Sequence, residues 1–132
     1  MKRTLSFRAV NAEEVFRQLK DRAGALIAET GAGLYESAAN ATPVRSGRAR
    51  ANWRSSIGNP VYESDEETQF DSSRARSAFQ GAKAGDILYL TNSVPYIERL
   101  ENGYSLQAPA GIKDQAVSAC RTNFESGRYL HD

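Results

Sequence analysis

Residues 41–58 read ATPVRSGRARANWRSSIG, and this stretch turns a helical sequence into a strand. Thr42-Pro43 closes what precedes it, because the residue before a proline is pushed out of the α region. Upstream, Val15, Leu19, Ala23, Leu26, Ile27, Leu34 and Ala38 recur at steps of three and four, which predicts one helix from Ala12 to about Ala41. At 1.5 Å per residue it is about 45 Å long. Asn11 suits its N-cap, and Glu13 and Glu14 fall in the first turn, where the helix dipole favours acids. Gly24, Gly31 and Gly33 mark a kink, a break or a close helix contact. Within the stretch, Ser46 is placed to cap a short turn through Ala51. Asn52 to Ile57 then reads as a strand with Trp53, Ser55 and Ile57 on one face.

Thr4 to Val10 alternates, with Leu5, Phe7 and Ala9 on one side, and predicts a short strand before the helix. Beyond Asn59-Pro60, the segment Tyr62 to Asp71 carries Glu63, Asp65, Glu66, Glu67 and Asp71 and no base. It is expected to be a mobile acidic loop. Asp71 or Ser72 is placed to cap a helix through Ala82 with Ala75, Ala78 and Phe79 inward, closed by Gly81 and Gly85. Asp86 to Thr91 is the strongest strand, through Ile87, Leu88, Tyr89 and Leu90. Pro95 opens a short helix through Glu101, stopped by Gly103. Leu106 to Pro109 reads as a loop. A last helix starts near Gly111, with Ile112, Ala116, Cys120 and Phe124 on one side. The expected fold is α+β: a long N-terminal helix packed on a small, mostly antiparallel sheet, with short helices and a C-terminal helix. The 132 residues suit a single domain over 1–132.

The net charge of +1 gives the molecule no strong overall field, so any nucleic-acid contact has to come from a local patch. The single Cys120 forms no internal disulfide, which suits a reducing cytoplasm. The N-terminal MKRTLSFRAV lacks an apolar core of signal-peptide length, and no apolar run is long enough to span a membrane. The Asn40-Ala41-Thr42 sequon carries no weight without a secretory signal.

No catalytic, cofactor or metal residue is assigned, and an enzyme is not expected. The lone histidine, His131, is next to the C-terminus, and Cys120 reads as a small core hydrophobe. Gly31-Ala32-Gly33 falls inside a helix and is no dinucleotide fingerprint. Glu98 and Glu101 share a helix face but nothing around them predicts a cleft.

The feature that calls for a role is the window of Arg45, Arg48, Arg50 and Arg54, which contains no acid. Guanidinium forks bind phosphate and carboxylate alike. The window is a solvated loop, an ion-pairing surface or a DNA contact. The acidic stretch with Glu66 and Glu67 stands close by in sequence. One copy's arginines can therefore meet a neighbour's acids, and pairing within the chain explains the pattern equally well. Reversing Arg48 and Arg50 to Glu is expected to spare the fold and block assembly. Tyr96 and Glu101 join these residues as interface candidates, since large aromatics are enriched at subunit boundaries.

Two segments carry a resemblance. Pro43, Ser46, Gly47, Arg48, Ala49, Arg50 and Ser55 match a "P-x-x-[ST]-G-x-[LA]-R" segment that leads into a strand. Pro95, Tyr96, Leu100, Glu101 and Gly103 match "PY-x-x-x-[LV]-E-x-G". In this order, after a long helix and before an alanine-bearing C-terminal helix, the chain resembles the phage tail-component and neck family, which includes the minor tail protein Z of lambda-type phages. Members often carry Leu where Ala49 stands, and the acidic stretch is longer here than the pattern requires. The resemblance implies a structural virion protein that forms a ring, commonly of six copies, at the head–tail junction or head-proximal end of the tail. Implied partners are other copies of itself, head-closure, tail-terminator or tail-tube proteins, and non-specifically the packaged DNA. No cofactor or membrane is implied, and the location is the virion after assembly in the host cytoplasm. Alternatives are a tail-terminator or sheath-initiating component of a related tail-like machine, and a small DNA-binding regulator.

Overall fold

A computed structural model describes residues 5–6, 11–103 and 111–130 of the chain. Among these residues five helices and two strands follow in the order α1 (Ala12–Ala41), α2 (Arg48–Ala51), β1 (Trp53–Ile57), α3 (Ser73–Phe79), β2 (Leu88–Asn92), α4 (Ile97–Glu101) and α5 (Lys113–Glu125). The fold is α+β, with α1 packed on a two-stranded antiparallel sheet. The expected strand at Thr4–Val10 and the loop at Leu106–Pro109 fall largely or wholly outside the described residues.

α1 begins and ends where local chemistry requires. The Asn11 side chain accepts from the Glu14 N–H at 3.3 Å. Glu14 pairs in turn with Arg17 one turn on. At the other end Thr42 is extended before Pro43. Its hydroxyl donates to the Ala38 carbonyl at 2.6 Å and accepts from the Trp53 indole N–H at 2.8 Å. One threonine thus ends the helix and fastens it to the start of β1. The helix runs unbroken through its glycines, which are close contacts. A Cβ on Gly31 would lie 2.8 Å from the Leu88 and Phe79 side chains, and one on Gly24 or Gly33 would collide with the Ala82 carbonyl or the Tyr129 ring.

The strands pair from Trp53 opposite Asn92 to Ile57 opposite Leu88. The core on the inner face is Ala32, Tyr35, Ala75 and Phe79. Trp53, Ile57, Phe70, Leu88 and Leu90 pack against it. β2 begins two residues later than Asp86, and Ile87 is left exposed. Asp71 starts α3 by accepting the Ser73 N–H and hydroxyl at 2.9 and 2.7 Å. These bonds hold its carboxyl below the usual range. The helix ends at Phe79, three residues short of Ala82, where the chain turns toward Gly81.

α5 packs along the second half of α1 through Ile112, Ala116 and Cys120. Phe124 does not share that burial and is 49% exposed. The helix ends one residue later, and the left-handed Gly127 (φ +78°) reverses the chain. Tyr129 then takes the inward place, against Gly33 and with its hydroxyl donating to Cys120 Sγ at 3.7 Å. Burial pushes the Tyr129 phenol up. Val15 and Leu19 are also exposed, and the first residue of α1 to be buried is Gly24.

Candidate functional site

The arginine window and the acidic segment face each other within the chain. Asn52, fully buried at the end of α2, organises the contact. Its Nδ2 donates to the carbonyls of Arg48 (2.8 Å), Asp65 (3.2 Å) and Glu67 (3.3 Å). Its Oδ1 accepts from the Asp65 N–H at 2.8 Å and the Arg54 guanidinium at 3.2 Å. A buried amide is tolerated only when satisfied in this way. Residues 62–71 form no regular element, yet their backbone is bonded to Asn52 and Arg48.

Ion pairs close the outside of this joint. Arg54 meets the Asp65 carboxylate at 3.0 Å. Arg48 Nε donates to the Asp65 carbonyl at 2.8 Å, and its Nη2 lies 3.4 Å from Glu66. The Glu66 side chain is 89% exposed, so this last pair contributes little. The Glu67 N–H, helped by the Arg54 and Arg74 charges, holds the Asp65 carboxyl below its usual range. Glu67 turns inward on its own loop and accepts the Thr68 and Gln69 N–H groups at 3.0 and 2.8 Å.

Gly47 explains the Ser-Gly of the motif. It adopts φ +92°, and the Thr68 carbonyl lies where a Cβ would project. The Ser46 hydroxyl accepts the Arg48 N–H at 3.2 Å. Arg50 points the other way. It lies 5.0 Å over the Phe70 ring, which stacks on Tyr35, and it reaches Asn40 at 3.3 Å. The Arg50 Nε is buried without a hydrogen-bond partner among the described residues. The Tyr35 hydroxyl donates to the Asp71 carbonyl at 3.2 Å, and burial pushes its phenol up. Arg45 alone of the four is exposed with no bond among the described residues.

The second motif serves the fold as well. Glu101 Oε2 accepts the N–H groups of Ile112 and Lys113 at 3.0 and 2.9 Å, so it caps the start of α5. Gly111 sits against the Glu101 carbonyl at φ +87°. Tyr96, half-buried, starts α4 and accepts the Leu100 N–H at 3.3 Å. The two motifs are joined by Asn92, whose side chain donates to the Ala49 carbonyl at 2.7 Å and accepts the Val94 N–H at 3.2 Å. Ala49 is itself buried.

The structure therefore gathers Arg48, Arg54 and Glu66 into one cluster. It keeps Arg50 on the Tyr35–Phe70 stack and leaves Arg45, Tyr96 and Glu101 elsewhere. Arg48 and Arg50 are built into packing, so reversing both to Glu attacks the fold, contrary to the expectation from sequence. Asn52 and Asn92 were missed. Their signal was an asparagine beside each expected strand, Asn52 at the start of the first and Asn92 just past the end of the second, positions where a side-chain amide can replace ladder bonds. Among the described residues no cluster of three or more His, Cys, Asp or Glu is placed to hold a metal. No helix among the described residues is long and apolar enough to cross a membrane. Comparisons with family models, curated proteins and solved structures return no match.

Proposed function

We propose that the chain is a structural virion protein of a tailed phage. It forms a ring, commonly of six copies, at the head–tail junction or head-proximal end of the tail and completes the tail for joining. The observation that carries this reading is the apolar surface left outside a small core. Val15, Phe16, Leu19, Phe124 and Leu130 are all exposed on or near helices. Such surface on a small domain marks contact with other proteins. The motif residues support the same reading. Gly47 and Glu101, with Asn92 between the two motifs, join the elements and so build a scaffold rather than a reaction centre.

The arginine window contributes mainly through the fold. Arg48 and Arg54 neutralise the chain's own acids, which leaves Arg45 as the outward cation for a neighbour or for packaged DNA. Partner proteins of the head-closure, tail-terminator or tail-tube kind would be engaged by the apolar surfaces. Removing the protein from the phage should yield DNA-filled heads and tails that do not join. Infectious, fully joined particles without it would refute the proposal.

A further inference from the structure

α1 carries an apolar seam, and among the described residues the body covers only half of it. Ala12, Phe16, Leu19, Ala23, Leu26 and Thr30 follow at alternating steps of four and three, which keeps them in line along one side of the helix. At Thr30 this side faces α5: the Cys120 thiol donates to the Thr30 carbonyl at 3.7 Å. α5 has 13 residues and α1 has 30. At 1.5 Å per residue they are about 20 and about 45 Å long, so α5 runs out while the seam continues. Upstream of Gly24 no residue of α1 is buried, and Phe16 and Leu19 are 64% and 55% exposed.

We infer that the first three turns of α1, residues 12–23, dock antiparallel on the same turns of a second copy. The seam itself is continuous with the α1–α5 packing, so a second helix is the shape it fits. The charges select the direction. With Phe16 and Ala23 at heptad position a and Ala12, Leu19 and Leu26 at d, Glu13 and Lys20 both fall at e. In an antiparallel pair e faces e, so Glu13 of each copy meets Lys20 of the other, twice by symmetry. Neither side chain has a bond within the chain among the described residues. Phe16 then layers on Leu19 of the second copy, and the reciprocal layer hides the same two residues again. A parallel pair would set Lys20 beside Val15, with no charge partner. The contact is isologous and closes on itself. It is thus a separate surface from whatever closes a ring, and it stands or falls independently of the virion reading.

Sedimentation equilibrium of the full chain tests it. The mass should rise with concentration from the 14.5 kDa of one chain toward twice that value. Phe16→Ser with Leu19→Ser should hold it at one chain, with the near-ultraviolet circular dichroism of the buried Tyr35 cluster unchanged. Glu13→Lys or Lys20→Glu alone should each weaken association about tenfold, and the double swap should recover most of that loss. A chain that stays monomeric throughout would overturn the inference. So would a dimer indifferent to Phe16 and Leu19, or single swaps that weaken it without mutual rescue.

Discussion

Asn52→Ala should loosen the joint between the arginine window and residues 62–71. The side chain touches five partners, but Nδ2 has two hydrogens for its three carbonyls, so it holds two at a time. Oδ1 holds two more. Four bonds at about 1 kcal/mol each set an upper figure near 4 kcal/mol. Asp65 and Glu67 lie near the surface, and water replaces part of this. The expected loss is about 2–3 kcal/mol. Urea unfolding followed by Trp53 fluorescence reads it directly. With a slope of about 2 kcal/mol per molar urea, the midpoint should fall by about 1–1.5 M at unchanged slope. Amide exchange should accelerate at Asp65 and Glu67 before it does at Tyr35. A midpoint shift below about 0.3 M at unchanged slope would refute the role given to Asn52.

Glu101→Ala removes the acceptor of the Ile112 and Lys113 N–H groups at the start of α5 and should cost about 1–2 kcal/mol in the same urea assay, with Gln recovering part of it. Asp65 and Asp71 titrate below their ordinary value of 3.8 when folded, so their contribution is complete above that value and fades as pH falls below it toward the folded values. Asp65→Asn with Asp71→Asn should therefore flatten the fall of the urea midpoint on the acid side of pH 3.8 and leave its slope above pH 5 unchanged. Reversing Arg48 and Arg50 to Glu should lower the melting temperature of the isolated protein, because one loses the Asp65 carbonyl and the other its place over Phe70. Gly31→Ala should cost about 1–3 kcal/mol by overpacking against Leu88 and Phe79.

Features decided locally were legible in the residues. Asn11 and Thr42-Pro43 bound α1 at the positions expected, because a cap and a proline act over one turn of backbone. The short helices at Arg48 and Ile97 and the glycine after Glu101 follow from the same kind of signal. Long-range choices were not legible. β1 and β2 pair across an insertion that holds the whole acidic segment and α3, and no periodicity announces that register. Phe124 fits the apolar side of α5 but loses its place to Tyr129, which only the reversal at Gly127 brings back. Leu19 keeps helical spacing with Leu26, yet burial along α1 begins only at Gly24. In the arginine window, composition left pairing within the chain and between copies equally open. The buried Asn52, which joins both segments, accounts for the pairing within the chain.

Antibody-labelled electron microscopy of purified phage particles bears most directly on the virion role. Label at the head–tail junction or the head-proximal end of the tail is the predicted result. Unlabelled particles, with the protein present in the lysate and its epitope accessible, would contradict it.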